Sequence, residues 1–283
     1  MVKIGKIKKN IVITGCSSGI GRDAAITLAS KGWRVLATCR SESDCKYFEK
    51  IGIESFPLDL SDENSISSAV EIIAEKTSGM LDAIFNNGAF AIPGAIEDLP
   101  RSAMREIFEV NVFGQFDLIN RCLPLMLNTK DPRIINCSSV LGFIALPYRG
   151  VYSATKFALE ALTDAMRREN YNVPIKIILL QPGPINTQIR KNSIPHFKKW
   201  VRWNESNHKE VYRDIVIKRL YGNTSDDLLN KFELKPNSVT AVLEKALLSK
   251  NPKSRYLITR PTLAAKILVT IFPTRVLDWM FKI

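Results

Sequence analysis

Histidine is scarce in this 283-residue sequence, which holds only His196 and His208, and its five cysteines show no C-x-x-C spacing. Such a set offers no sensible group of zinc ligands, so we predict no metal site. An odd number of scattered cysteines indicates free thiols, buried or semi-exposed, rather than a disulfide framework. The cysteines are Cys16, Cys39, Cys45, Cys122 and Cys137.

Linkers and internal repeats are also missing, and we expect no secretory leader. No stretch is rich enough in proline, glycine or serine to separate domains. The lysines near the N-terminus lack the apolar segment and cleavage site of a signal peptide. We therefore expect one domain over residues 1–283, since α/β folds of this length are commonly single domains, and a cytoplasmic location.

Acidic residues are in the minority, with 28 Asp and Glu against 40 Lys and Arg, which gives a net charge of +12. A basic balance can indicate nucleic acid, an anionic membrane or an anionic cofactor. No helix-turn-helix, finger or aromatic RNA-binding signature accompanies the charge. We expect no nucleic-acid partner.

Short, almost continuously apolar runs alternate with helical patterns along the chain. This alternation predicts an α/β fold with a doubly wound parallel sheet of about seven strands and helices on both faces. Helices are predicted over Ile20–Lys31, from Ser61, over Met104–Leu127 and over Tyr152–Arg168. The predicted strands are Ile11–Thr14, Trp33–Thr38, Ile53–Leu58, Ala83–Asn86, Arg133–Cys137, Ile175–Leu180 and Tyr256–Thr259.

A glycine-rich turn follows the first strand and opens the first helix, with the sequence Thr14-Gly15-Cys16-Ser17-Ser18-Gly19-Ile20-Gly21. Glycines allow a tight turn and a close approach of the backbone to phosphate. The helix N-terminus offers free N–H donors and a partial positive charge. The turn predicts a pyrophosphate site; the alternative is a glycine-rich turn without a ligand.

The end of the second strand is where a dinucleotide fold contacts the adenosine ribose. An acid there favours the free 2′-hydroxyl, but this chain has Thr38-Cys39-Arg40. A guanidinium suits a phosphate, so Arg40 favours NADP(H) over NAD(H); a solvated arginine is the alternative. Asp59 and Leu60 follow the third strand and could hold the adenine edge, although Asp59 could instead cap the next helix.

Tyr152 and Lys156 are four residues apart and share one face of a predicted helix. A free phenol has a pKa of about 10, too high for efficient proton transfer near neutrality. We expect the nearby ammonium to favour the phenolate and lower this pKa. Ser139 follows the fifth predicted strand, where its hydroxyl could hold a substrate carbonyl. A chance Tyr/Lys pair on an amphipathic helix is the alternative.

Over most of residues 10–190 the chain resembles the short-chain dehydrogenase/reductase family, and within it the hydroxysteroid- and retinol-dehydrogenase-like branch. The resemblance implies an oxidoreductase with a tetrad: Tyr152 as proton donor or acceptor, Ser139 as carbonyl holder, Lys156 on the nicotinamide ribose, and Asn111 positioning a water. It also implies cofactor contacts at Asn87 and Gly88 and a cover over the nicotinamide. That cover is Pro182, Gly183, Pro184, Ile185 and Thr187. The motifs are Thr14-Gly15-x-x-x-Gly19-Ile20-Gly21, Asp59-Leu60, Asn86-Asn87-Gly88-Ala89, Asn111, Ser138-Ser139, Tyr152-x-x-x-Lys156 and Pro182-Gly183.

One departure from the family lies after the fourth strand. The family usually has Asn-Ala-Gly, whereas here Gly88 and Ala89 are exchanged. The exchange moves the residue without a side chain by one place beside the cofactor. We expect it to be tolerated.

Beyond the 10–190 core lie a segment over 186–236 and an apolar tail over 261–283. Trp200, Trp203 and Tyr212 in the segment suit an apolar substrate under a closing loop, or a packed surface helix pair. The tail has basic residues beside Leu, Phe and Trp, which fits peripheral membrane contact. Packing on its own pocket or on a partner in a homodimer or homotetramer, expected by family analogy, is the alternative.

Two functions follow. The first is an NADP(H)-dependent enzyme that interconverts a ketone or aldehyde and an alcohol on an apolar, steroid-, retinoid- or lipid-like substrate. The second is a catalytically silent dinucleotide sensor or scaffold of the same fold, which would have no need of the Tyr152–Lys156 pair.

Overall fold

The computed structural model describes residues 9–222 and 232–282, and in them seven parallel strands form one sheet. The strands are β1 (Asn10–Ile13), β2 (Arg34–Cys39), β3 (Glu54–Pro57), β4 (Ala83–Asn86), β5 (Arg133–Cys137), β6 (Lys176–Pro182) and β7 (Arg255–Ile258). Their order is β3-β2-β1-β4-β5-β6-β7. The predicted doubly wound sheet is confirmed. β4 and β5 have the predicted bounds, and the ends of the other strands differ from prediction by one or two residues.

Helices cover both faces of the sheet. They are α1 (Gly19–Ser30), α2 (Glu42–Lys50), α3 (Glu63–Thr77), α4 (Arg101–Phe108), α5 (Gly114–Leu127), α6 (Gly150–Glu169), α7 (Ile189–Trp200), α8 (Lys209–Val211), α9 (Ile217–Tyr221), α10 (Asn237–Leu248), α11 (Arg260–Ile271) and α12 (Thr274–Phe281). Successive side chains of β1 point to opposite faces of the sheet, and each face carries its own hydrophobic core. Ile11 and Ile13 pack with α1, α2 and α10, whereas Val12 packs with α3 and α5.

Two predicted helices differ in detail from the structure. The third helix begins at Glu63 rather than Ser61, because Asp62 is its cap and accepts a hydrogen bond from the Asn64 N–H at 2.9 Å. The helix predicted over Met104–Leu127 is α4 and α5 joined by a π turn, Glu109–Phe113. Such wide turns often occur at functional sites, and this one holds Asn111.

The 186–236 segment packs on α4, α6 and the loop after β4 in a third cluster of buried side chains. In it Tyr212 is fully buried against Phe197 of α7 and Tyr148, while Trp200 and Trp203 are partly buried. One bridge, Ile185 to Leu234, ties the segment back to the strand ends. Residues 223–231 of the predicted segment lie outside the described residues.

The tail forms helices α11 and α12, and much of its apolar surface is exposed. Leu263, Ile267 and Ile271 are exposed on α11, and Trp279 on α12 is 71% exposed. Within the described ranges, no helix combines the length and apolarity that crossing a bilayer requires.

Candidate active site

The strand order reverses between β1 and β4, because the chain leaves β1 toward β2 and β3 and later returns to pair β4 with β1. Ligands of open α/β sheets bind where the carboxyl ends of such strands diverge. The glycine-rich turn follows β1 at this point and Asn87 follows β4, so the predicted cofactor residues meet here.

The glycine-rich turn needs its glycines for two different physical reasons. Gly15 and Gly19 have φ values of +70° and +58°, the left-handed region that side chains disfavour. At Gly21 a Cβ would lie 2.4 Å from the Gly15 carbonyl oxygen. Ser18 caps α1 with extended backbone but without a side-chain hydrogen bond, and the first turn of α1 contains no acid. The turn therefore presents backbone N–H groups to an anion, which fits a pyrophosphate.

Thr14 and Asn87 clamp the glycine-rich turn to the end of β4. The Thr14 hydroxyl accepts hydrogen bonds from the N–H groups of Asn87 and Gly88 at 3.0 and 2.9 Å. In return, the Asn87 amide donates to the carbonyls of Thr14 and Gly15. The sequence analysis named Thr14 only as part of the glycine-rich motif and did not predict that its hydroxyl would bind the loop after β4. A polar residue at the end of an apolar strand was the sequence feature that could have indicated this contact.

The exchanged Gly88–Ala89 pair fits the local backbone. Gly88 has no positive φ, so its conformation does not require glycine. A Cβ there would lie 3.2 Å from Leu60 Cδ1, a tight contact with a movable side chain. The Gln115 amide fixes the loop by donating to the Gly88 carbonyl at 2.9 Å.

At the ribose end, Arg40 is exposed just past β2, and neighbouring Thr38 and Cys39 are buried. Asp59 neither caps α3 nor stays free, because its carboxylate accepts hydrogen bonds from the Ser61 N–H and hydroxyl at 2.9 and 2.7 Å. Leu60 is buried below Gly88. These side chains border the same edge as the glycine-rich turn.

Three of the four residues predicted as catalytic, Ser139, Tyr152 and Lys156, lie near the carboxyl end of β5. Lys156 is 2% exposed, and its Nζ donates to the Cys137 carbonyl at 2.8 Å. The same Nζ lies 5.7 Å from the centre of the Tyr152 ring. Ser139 begins the short turn Val140–Gly142, where its hydroxyl accepts the Leu141 N–H at 3.1 Å. Ser139 also lowers the pKa of the Tyr152 phenol, which indicates that the two side chains are close.

The expected lowering of the Tyr152 pKa is not what this structure shows. Burial raises the pKa of the phenol well above its ordinary value, and the proximity of Cys137 adds to this. Arg149 and Ser139 lower this pKa by smaller amounts. The sequence-based expectation left out desolvation, which also lowers the pKa of Lys156 and thereby weakens the ammonium as a partner.

Asn111 is fully buried, and its side chain forms hydrogen bonds with two other parts of the chain. Its side-chain oxygen accepts the Phe90 N–H at 3.0 Å, and its amide donates to the Phe90 carbonyl and the Thr155 hydroxyl at 2.9 and 3.1 Å. Thr155 in turn donates to the Tyr152 carbonyl at 2.8 Å. Asn111 thus ties the loop after β4 to the catalytic helix α6. Phe90 and Thr155 were missed because neither belongs to a motif.

The 182–187 stretch contacts both ends of the site. Pro182 ends β6, and a Cβ at Gly183 would collide with the hydroxyls of Thr259 and Thr262. Gly183 therefore packs against α11. Thr187 lies close to Gly19, since a Cβ on that glycine would be 3.2 Å from the threonine methyl. The stretch therefore contacts α11 at one end, through Gly183, and the glycine-rich turn at the other, through Thr187.

Comparison with known proteins agrees with this geometry. The family described as short chain dehydrogenase matches residues 9–197. The chain is 36% identical to an uncharacterized oxidoreductase, YbbO, of Escherichia coli K12 over 97% of this chain and 94% of that one. It is 31% identical to an NADPH-dependent 3-dehydrocapnine reductase of Ornithobacterium rhinotracheale, over 95% of each chain. It is 30% identical to rat 17-beta-hydroxysteroid dehydrogenase type 6, over 97% of this chain and 88% of that one.

Solved structures share the fold at lower sequence identity. A short-chain dehydrogenase/reductase of Burkholderia phymatum in complex with NAD has a TM-score of 0.76 at 20% identity and covers 97% of this chain and 96% of that one. One from Burkholderia cenocepacia in complex with NADP has a TM-score of 0.74 at 17% identity and covers 98% of each chain.

Proposed function

This chain belongs to the short-chain dehydrogenase family of NAD(P)-dependent oxidoreductases, and we propose that it uses NADP(H) to interconvert a ketone or aldehyde and an alcohol. The observation that carries this proposal is the convergence of Tyr152, Ser139 and Lys156 beside the glycine-rich turn. A silent scaffold is not favoured, because it would have no use for this buried arrangement.

Each residue has a role that its position supports. When bound, the nicotinamide supplies or accepts a hydride. Ser139 holds the substrate oxygen, and Tyr152 gives that oxygen a proton during reduction or removes it during oxidation. Lys156, anchored on the Cys137 carbonyl, fixes a positive charge below the phenol. The side chain of Asn111 is committed to Phe90 and Thr155, so its main effect is to hold α6 in place.

Arg40 supports the choice of NADP(H). It is exposed at the ribose end of the site, and the acid that would bind a free 2′-hydroxyl is replaced by Thr38 and Cys39. The Ornithobacterium relative is an NADPH-dependent reductase, which agrees with this assignment.

An apolar substrate is supported by the wall above Tyr152. The third cluster brings Phe90, Val201 and Tyr212 together with Tyr152 in one continuous set of buried side chains. Apolar walls with a few polar groups are typical of small-molecule sites.

The position and the exposed side chains of the 261–283 tail support a second proposal, that the tail contacts an anionic bilayer. Helix α11 packs against the turn that follows Ser139, and Lys266 lies 5.1 Å from the ring of Phe143. Exposed Trp279 and Met280 are accompanied by exposed Arg275 and Lys282. Apolar side chains flanked by cations suit the surface of an anionic membrane. The apolar face would then lie next to the active site.

The test of the catalytic proposal is Tyr152→Phe. Removal of the phenol oxygen should cost about 10²–10⁴-fold in turnover of a carbonyl panel. Affinity for NADPH, measured by nicotinamide fluorescence, should be largely kept. Turnover equal to that of the unmodified enzyme would contradict the assigned role.

A further inference from the structure

Glu160 is a buried carboxylate on the catalytic helix α6, one helical turn after Lys156. Its residue is 8% exposed. Side chains four residues apart share one face of a helix, so Glu160 lies on the face that also carries the catalytic cation. Burial of a carboxylate is costly unless hydrogen bonds or a cation compensate it. The partners of Glu160 therefore indicate what it does in this site.

Two neighbouring strands supply the hydrogen bonds of this carboxylate. The side-chain amide of Gln181 on β6 donates to Glu160 Oε1 at 2.9 Å, and Arg255 on β7 donates its Nε to Oε2 at 3.2 Å. Gln181 is itself buried and comes immediately before Pro182 and Gly183, where the expected nicotinamide cover begins. Glu160 thus joins the catalytic helix to the end of β6.

The Glu160 side chain also packs against the short turn that begins with Ser139. A Cβ at Gly142, the last residue of this turn, would lie 3.0 Å from Glu160 Cγ and 3.2 Å from its Oε1, and it would collide with the Ser138 hydroxyl. Gly142 is therefore enclosed between the catalytic helix and the end of β5. A side chain at this position would push the turn away from α6.

We propose that Glu160 is a positioning residue for the reaction. Through Gln181 it holds the nicotinamide cover against α6, the helix that carries Tyr152. Through Gly142 it holds the turn that begins with Ser139. This inference rests on the proposed function and deepens it. Hydride transfer needs the nicotinamide and the carbonyl within a narrow range of distance and angle, and a displacement of about 1 Å can cost about 10²-fold in rate.

The hydrogen bonds of Glu160 can be broken and rebuilt with side chains of the same shape. The carboxylate accepts two bonds, and Gln181 and Arg255 donate one each. In Glu160→Gln one donor must face another donor, and in Gln181→Glu two carboxylates face each other. The double variant, which combines the two changes, restores both bonds. Its amide at position 160 donates to the acid at position 181 and accepts from Arg255.

Single-turnover oxidation of enzyme-bound NADPH by a carbonyl compound, followed by absorbance, measures the hydride step in these variants. Each single variant should slow this step by about tenfold or more, and the double variant should recover most of the loss. A residue that only stabilises the fold would lower the midpoint of chemical denaturation and leave the rate of the folded enzyme unchanged. Rates in both single variants equal to that of the unmodified enzyme would overturn the inference, as would a loss that the double variant does not recover.

Asp164→Asn is the matched control. Asp164 lies one helical turn after Glu160, is partly buried, and also forms an ion pair with Arg255 as well as one with Arg167. The change should lower the denaturation midpoint and leave the single-turnover rate as it is. A loss of rate in Asp164→Asn as large as in Glu160→Gln would assign the effect to Arg255 and overturn the role of Glu160.

The affinity for NADPH, measured by nicotinamide fluorescence, separates this inference from the proposed function. If the unmodified enzyme oxidises NADPH with no carbonyl compound, the proposed reaction fails, and the same variants are compared by binding alone. Weaker binding in Glu160→Gln and Gln181→Glu, with recovery in the double variant, would support the hold on the nicotinamide cover. Equal affinity in all of them, or a loss without recovery, would overturn it.

Discussion

The Lys156 ammonium is bonded to the Cys137 carbonyl at 2.8 Å, which joins the catalytic helix to the last residue of β5. This bond sets the distance between the cation and Tyr152, 5.7 Å from Nζ to the ring centre. In the protein alone, burial outweighs the favourable charges, and the pKa of Tyr152 is raised. The phenol is thus held protonated, the form needed to reduce a carbonyl.

The pH dependence of Tyr152 follows from this balance. Without cofactor, Tyr152 should remain un-ionised up to and beyond pH of about 10, the ordinary phenol value. Oxidised nicotinamide carries a positive charge, so NADP⁺ should lower the pKa. Alcohol oxidation should therefore rise with pH, while carbonyl reduction should fall once the phenol ionises.

Ultraviolet difference titration of the unmodified enzyme against Tyr152→Phe measures the first effect, and the pH profile of kcat/KM measures the second. Ionisation of Tyr152 near neutrality in the enzyme without cofactor would contradict the prediction. A profile for alcohol oxidation that falls as pH rises would contradict it as well.

Much of the fold could be predicted because buried parallel strands are almost continuously apolar. The run Ile134–Cys137 and its neighbours could therefore be located within one or two residues. The positions of Tyr152 and Lys156 followed from helical spacing alone. By contrast, the pKa of Tyr152 depends on how deeply other segments bury it, which no local pattern encodes.

The contact between Asn111 and Phe90 could not be predicted for a related reason. The resemblance pointed to Asn111 itself, but not to Phe90, whose N–H donates to the Asn111 side chain at 3.0 Å and so joins the loop after β4 to a π turn. Long-range placement, not residue type, makes these residues functional candidates.

Steric exclusion in the glycine-rich turn gives a second prediction. Gly21→Ala would place a Cβ 2.4 Å from the Gly15 carbonyl oxygen, so the turn must move. We expect a loss of about 1–3 kcal/mol in the free energy of unfolding and a weakening of NADPH binding. Chemical denaturation and cofactor fluorescence measure the two effects.

Gly32→Ala is the matched control for this change. Gly32 has a φ of +90°, but a Cβ there would meet nothing within 4 Å. It should cost about 1–2 kcal/mol through backbone strain alone, with NADPH affinity unchanged. A loss of affinity in Gly32→Ala as large as in Gly21→Ala would refute the steric explanation.

Cofactor choice gives a third prediction, at Arg40. Arg40→Ser removes the proposed contact with the 2′-phosphate, so kcat/KM for NADPH should fall by roughly tenfold to a hundredfold, in line with a charged hydrogen bond. The value for NADH should change little. Lys46→Ser, a change at an exposed cation on α2, is the control and should leave the NADPH-to-NADH ratio as it is. An unaltered ratio in Arg40→Ser would remove the basis for assigning NADP(H).

Membrane contact through the tail is the last prediction, and it depends on both apolar and charged side chains. Full-length protein should float with vesicles of phosphatidylcholine and phosphatidylglycerol, and less with phosphatidylcholine alone or at high salt. Trp279→Ser should reduce flotation because it removes a largely exposed ring from the docking face.

Tyr171→Ser provides the comparison, since Tyr171 is a more exposed aromatic that follows α6 and lies outside the tail. If Trp279→Ser floats as well as Tyr171→Ser and the unmodified protein, the tail does not dock through this face. Packing on a partner in a homodimer is the alternative, and sedimentation would detect it as a concentration-dependent dimer that Trp279→Ser weakens.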